Sequence, residues 1–317
     1  MTELSPVARM YDLMRGALVT RALGIVAELG IADSLAAGPR PVAELAAETG
    51  ADADTLHRIL RALASDGVFA EVSPGSFGNT ELSALLLETG WTEFALFFGS
   101  VWHRAAGELD AAKDGASFPR IFGEDFWSWL ATHPQERAAF DRAMEEGWDR
   151  RIGRVAAVDW RDGETVVDVG GGNGSLLAAL LERQAGLHGI VFDLPETSRD
   201  EAGLGDRIEF VAGSFFERVP AGDVYILSTI LHDWPDAEAA AILRTIRAGA
   251  PEHGRLLVLD SVIPPGNERN GAKWQDLLML ALFGARERDE PQWRELFEGT
   301  GWQPVRMQDG LIEAACR

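Results

Sequence analysis

The side chains in this sequence that could do chemistry stand at the ends of short apolar runs. The first such run is Val166-Val167-Asp168-Val169-Gly170-Gly171-Gly172-Asn173-Gly174-Ser175-Leu176-Leu177. A β-branched run with an acid, then a glycine cluster, then an apolar stretch at helical spacing reads as strand, tight turn and helix, the opening of a nucleotide-binding α/β unit. Glycine lets the backbone turn sharply and lets a ligand come close, because no Cβ intervenes. The helix that follows turns its unpaired N–H groups toward that ligand. The dinucleotide pattern Gly-x-Gly-x-x-Gly fails in both registers, its third glycine falling on Ser175 or on Leu177. This counts against a nicotinamide-dependent oxidoreductase. What is present is Asp-x-Gly-x-Gly-x-Gly, through Asp168, Gly170, Gly172 and Gly174.

Four more runs end the same way. Ile190-Val191-Phe192 leads to Asp193, and Ile208–Val211 leads to Ala212-Gly213-Ser214-Phe215-Phe216. Asp223–Leu227 leads to Ser228 and then His232, and Leu256–Leu259 leads to Asp260. Helical stretches such as Ala237–Ala248 lie between them. Strand–helix alternation implies a doubly wound, mostly parallel sheet, whose ligands bind at the carboxyl ends of the strands. A lone histidine is more often structural than catalytic, but His232 follows such an end.

The rest of the chain must position these groups. Val7–Leu35 is helix-rich. Pro41–Gly50 reads as a short helix closed by glycine, and Ala51–Asp54 supplies caps for a second helix through Ala64. Gly67–Val72, the turn Ser73-Pro74-Gly75-Ser76 and Phe77 read as a hairpin. Helix-turn-helix plus hairpin is a winged-helix pattern. Between Arg40 and Thr80 stand three arginines against six acids, with Asp52 and Asp54 opening the would-be recognition helix. Phosphates would be repelled, so a helical dimerisation surface is the expected role, over a ligand-sensing regulator. The net charge of −21 likewise excludes nucleic-acid and anionic-membrane partners. No apolar run reaches the ~20 residues of a membrane span. A single cysteine, Cys316, cannot make an internal disulfide, and a cytoplasmic location is expected. The expected domains are 1–90, a winged-helix dimerisation domain; 91–155, a helical linker contributing to the substrate pocket; and 156–317, the catalytic domain. The linker is dense in Phe and Trp, as suits a pocket for a flat apolar substrate. Phe140 and Met144, four apart, are its candidate substrate contacts.

The glycine loop, Val191-Phe192-Asp193-Leu194-Pro195, Ala212-Gly213-Ser214-Phe215-Phe216, Ile230-Leu231-His232-Asp233-Trp234-Pro235-Asp236 and Gly284-Ala285-Arg286-Glu287-Arg288 occur in that order. Together they resemble the plant-type and bacterial small-molecule O-methyltransferases, class I enzymes that use S-adenosylmethionine (SAM) and dimerise through a winged-helix domain. The resemblance covers nearly the whole chain. It implies that Gly170 contacts the methionine part of SAM and that Asp193 accepts from the ribose hydroxyls. Ser214 and Phe215 fall at the adenine site, where the family usually has aspartate in place of Ser214, and Ser228 serves the methionine end. His232 matches the general base. Asp260 and Glu287 match the two family glutamates around it, Asp260 with one methylene less reach. Asp233 is a candidate for binding a substrate hydroxyl or for capping the following helix. No metal is implied.

The reaction implied is transfer of a methyl group from SAM to a hydroxyl of an aromatic, phenolic or polyketide-type molecule in secondary metabolism. A phenol of pKa ~10 facing a histidine of ~6.5 favours concerted proton removal over prior ionisation. An N- or C-methyltransferase, or a SAM-assisted hydroxylase, on the same scaffold is the alternative reading.

Overall fold

A computed structural model of the chain describes residues 5–88, 90–113, 115–144, 148–195, 197, 206–308 and 310–317. Contacts group the chain into two compact units, Met1–Gly107 with Arg142–Glu146, and Glu108–Asp141 with Gly147–Arg317. Residues of the expected linker therefore fall in both.

The first unit is mainly helical. Helix Val42–Thr49 ends where Gly50 takes a left-handed φ of 74°. Helix Ala53–Ser65 starts where the Asp52 carboxylate accepts the Thr55 N–H at 2.8 Å. Its Leu56, Leu60 and Leu63, at helical spacing, are buried with Phe69 and Phe77 of the hairpin Phe69–Ser73/Ser76–Asn79. Arg40–Pro41 adds a third strand beside Phe77. This is the winged-helix pattern expected. Helices Gly16–Glu28 and Trp91–Gly99 cross so closely that a Cβ on Gly24 would lie 2.7 Å from Gly99 Cα.

The second unit is built on seven strands: β1 Thr165–Val169, β2 His188–Asp193, β3 Ile208–Ala212, β4 Val224–Ser228, β5 Arg255–Leu259, β6 Trp302–Gln308 and β7 Leu311–Cys316. Their order is β6-β7-β5-β4-β1-β2-β3, with β7 running opposite to the other six. The helices that concern the site are α1 Trp148–Ala156, α2 Ser175–Arg183, α3 Asp236–Gly249, α4 Ala272–Phe283 and α5 Glu290–Phe297. Alternate residues of each strand face opposite cores. Val167, Val169, Tyr225, Leu227, Leu256 and Val258 pack with α3 and α5. Val166, Val191, Ile226 and Leu257 pack with α1 and α2. Burial on both faces is why these strands read as unbroken apolar runs. Because β1 lies between β2 and β4 in parallel register, Asp168 opposite both Val191 and Ile226, the polar ends emerge along one edge of the sheet.

Candidate active site

The glycine loop leaves β1 with Gly170, Gly172 and Gly174 all at positive φ, 72°, 57° and 82°. The Gly170 N–H donates to Phe192 O at 2.8 Å. A Cβ at Gly170 would come within 2.5 Å of Ile230 Cδ1 and 3.8 Å of the Phe215 ring, so the loop, the β4 end and the β3 end converge there. Asp168 lies under the loop, close to Gly171. Burial, then Asp193, pushes its carboxyl up to about 7 against the opposing pull of Arg151. Its Oδ2 is buried with no hydrogen-bond partner.

Asp193 accepts the Gly172 N–H on one oxygen at 2.8 Å, and the Leu194 N–H and the Thr197 hydroxyl on the other at 2.6 and 2.7 Å. The loop and the ribose candidate are thus tied to each other. Ser214 Oγ accepts the Phe216 N–H at 3.2 Å. The Phe215 ring meets Phe216 and Trp234 edge-on, at 5.0 and 5.8 Å between centroids. Ser228 ends β4, and its carbonyl accepts the Thr229 hydroxyl at 2.6 Å. Thr229 holds φ at 55°, a conformation costly for a β-branched residue.

His232 sits in a single helical turn, Leu231–Asp233, just past this strained residue. Its Nδ1 lies 2.7 Å from Glu287 Oε1 and its Nε2 3.4 Å from Asp233 Oδ1. His232, Asp233, Asp260 and Glu287 are all buried. Burial alone would lower the His232 pKa; Asp233, Asp260 and the Glu287 hydrogen bond outweigh it and raise it to about 10. Burial pushes Asp233 up to about 7 and Asp260 to about 6, in each case against the attraction of His232. The four groups titrate as one coupled set.

Of the two expected histidine partners, Glu287 meets the imidazole. Asp260 instead accepts the Leu231 N–H at 3.1 Å and acts on His232 through its charge. Asp233 does not cap the following helix: α3 starts after Pro235 with no side-chain cap. Phe140 lies in helix Pro134–Ala143, and Met144 directly follows its last residue. Phe140 packs edge-on against Phe126 and Trp127, at 5.5 and 5.6 Å, and it is not among the residues that bound the cavity beside His232. That cavity, of about 360 Å³, is bounded by Thr229, His232, Asp260, Gln275, Glu287 and Arg151, among others. Arg151 and Thr229 carried no sequence signal. Arginine is ordinary on a helix, and a positive φ at threonine is not written in residue type. Among the described residues, no group of three or more His, Cys, Asp or Glu could hold a metal ion.

The sequence model for the O-methyltransferase domain matches residues 102–303, and that for the O-methyltransferase dimerisation domain matches 11–89. The chain belongs to the SAM-dependent O-methyltransferases. This methyltransferase is 42% identical over 308 residues to the phenazine O-methyltransferase PhzM of Lysobacter antibioticus, covering 92% of this chain and 90% of the relative. It is 38% identical to a mitomycin biosynthesis 6-O-methyltransferase of Streptomyces lavendulae, covering 92% and 87%. Among solved structures it resembles LaPhzM, with a TM-score of 0.91 at 38% identity and 99% and 100% coverage. It also resembles NcsB1 of neocarzinostatin biosynthesis, solved with SAM and 2-hydroxy-5-methyl naphthoic acid, with a TM-score of 0.82 at 33% identity and 94% and 96% coverage.

SAM fits the residues present. Gly170 at positive φ, with Ile230 and Phe215 beside it, leaves no room for a side chain at the loop, Asp193 at the end of β2 is hydrogen-bonded to the loop's Gly172 N–H, and Asp168 Oδ2 is buried without a hydrogen-bond partner.

Proposed function

We propose that this methyltransferase transfers a methyl group from SAM to a hydroxyl of an aromatic small molecule of secondary metabolism, with His232 as general base. The observation that carries the role of His232 is its pairing with buried Glu287 at 2.7 Å. With Nδ1 committed to a carboxylate, the tautomer is fixed and Nε2 is the atom that takes a proton. The relatives named above, acting on phenazine and mitomycin compounds, and a neighbour holding a hydroxynaphthoic acid support the class of acceptor.

SAM supplies an electrophilic methyl on a sulfonium. Asp193 would hold the ribose and Phe215 would face the adenine. Gly170 and Ser228 would meet the methionine part, with Arg151 beside Asp168 placed to balance its charges. His232 then draws the acceptor proton as the oxygen advances. A base raised to about 10 matches a phenol of ~10, so transfer between them is near balance. The same rise favours the protonated imidazole near neutral pH and so disfavours the free base. A cation bound nearby opposes that protonation, so a positively charged methyl donor helps free the base it needs.

General base catalysis gives ~10²–10⁴-fold, and positioning of the oxygen up to ~7–11 kcal/mol, so residual activity should survive loss of the base. His232→Ala should lower kcat at least about a hundredfold without weakening SAM binding, because the cationic donor and the imidazole proton oppose each other. Near-wild-type turnover would remove His232 from the mechanism. Incubation with methyl-labelled SAM and a panel of phenols and naphthols tests the acceptor class, and label appearing only on amines or carbon would overturn it.

We further propose a homodimer formed through the N-terminal unit, supported by the match to the dimerisation domain. The lone cysteine suits a reducing cytoplasm, and no helix among the described residues is long and apolar enough to cross a membrane.

A further inference from the structure

Arg288 is fully buried, with no accessible surface, and a buried guanidinium is tolerated only when its donors are paired. Its partners are specific. Nε donates to Asp236 Oδ1, Nη1 to Leu231 O and Nη2 to Trp234 O, each at 2.9 Å. The Trp293 ring lies 5.3 Å from its Cζ, and Trp293 is pinned in turn through its Nε1 to Ser261 O. Leu231 and Trp234 flank His232 and Asp233, so two arms of one planar group grip the turn that carries the base, one on each side of it. The preceding residue, Glu287, meets the His232 ring. Its own N–H donates to Asp276 of α4 at 2.9 Å, and Arg288 pairs in a short parallel ladder with Val262, just beyond Asp260.

We propose that Arg288 is a positioning residue for the general base: its guanidinium fixes the backbone of the His232 turn while its neighbour Glu287 fixes the ring, so one dipeptide sets both the place and the orientation of the imidazole. A planar fork can hold two carbonyls and a carboxylate at once; a lysine ammonium is a point donor and cannot span them in the same geometry. With the turn loosened, the His232–Glu287 contact lengthens. That contact raises the histidine pKa, so its loss moves the acid limb of the pH–rate profile to lower pH.

The inference rests on the reading of His232 as base, and the test separates the two. Arg288→Lys should bind S-adenosylhomocysteine within threefold of wild type, lower kcat at least tenfold and move the acid limb of kcat/KM down by about one pH unit. Combined with Glu287→Gln, it should lower kcat no more than threefold beyond Glu287→Gln alone, because both act through one imidazole. Wild-type kcat in Arg288→Lys would overturn the proposal, as would a loss of kcat that is additive with Glu287→Gln and leaves the pH profile in place, which is the signature of a merely structural residue. Should Arg288→Lys fail to fold, Asp236→Asn, at a half-exposed carboxylate, carries the test: it should lower kcat at least threefold with the same direction of pH shift, and a wild-type profile would overturn the proposal. Failure of the base reading shows separately, as wild-type turnover in His232→Ala.

Discussion

At the scale of the residue, the site is one imidazole among three buried carboxylates, and its chemistry is set by which of them it touches. Glu287 raises the His232 pKa by hydrogen bond and charge, Asp233 and Asp260 by charge. The group gains a proton in the folded state above its ordinary range. Its contribution to stability is therefore fully present below about pH 6.5 and is lost as pH rises toward about 10. With His232 as the proposed base, activity runs the other way, since the neutral form is the one that accepts a proton. The acid limb of kcat/KM for the acceptor should thus lie above the ordinary histidine range. Glu287→Gln should shift it down by at least about one unit while lowering kcat. A limb that stays in place in that variant would mean that the titrating group is not His232. The pairing of His232 with Glu287 was legible in the sequence, through the strand-end motif around His232 and the family motif around Glu287. The grip of Arg288 on the carbonyls of Leu231 and Trp234 was not. It joins residues more than fifty positions apart through backbone atoms that residue type does not reveal. The placement of Asp260, on the Leu231 N–H, is likewise a contact to a backbone atom.

At the scale of the element, the strand ends bring the site together, and the glycine loop shows what that demands. Gly170 holds φ at 72°, and a Cβ there would press on Ile230. Gly163, in the turn before β1, holds φ at 85° with nothing within 4 Å of a would-be Cβ. Alanine at either position meets the left-handed penalty of about 1–2 kcal/mol; only at Gly170 does it also collide with a neighbour, Ile230, and so disturb the loop. Gly170→Ala should weaken SAM binding at least about tenfold, about 1.4 kcal/mol, beyond any effect of Gly163→Ala. Calorimetric titration with SAM reads the difference, and equal affinities in the two variants would detach Gly170 from the cofactor. The strands of this sheet were legible to within about two residues, because β1, β2, β4 and β5 are buried on both faces and read as continuous apolar runs. The hairpin β6–β7 was not read. Past buried Trp302 its outer strand is mostly exposed, with Val305 and Arg306 exposed in succession, and it breaks register between Pro304 and Arg306, so it lacks a clean period.

At the scale of the whole molecule, the acidic charge and the N-terminal apolar surface act against each other. A chain of formal charge −21 repels its copies, so a dimer must be held by apolar contact. The first unit offers one. Val7, Met10, Tyr11 and Met14 are 81%, 59%, 68% and 66% exposed, and at i, i+3, i+4 and i+7 they lie on one face of helix Pro6–Met14. Leu18, at the start of the next helix, is 75% exposed. Covering such a side chain contributes roughly 1.5–3 kcal/mol, and in a two-fold symmetric interface each substitution is counted twice. Met14→Glu should therefore weaken association by about 3 kcal/mol or more, at least a hundredfold in dissociation constant. Light scattering should show the wild type as two chains at micromolar concentration, and Met14→Glu as one chain or a concentration-dependent mixture. Salt should strengthen the wild-type dimer by screening the like charges, and its melting temperature should rise with protein concentration. A wild type that stays a single chain at every concentration and salt would remove the dimer. A Met14→Glu dimer as tight as wild type would leave the dimer standing and move its interface away from this helix.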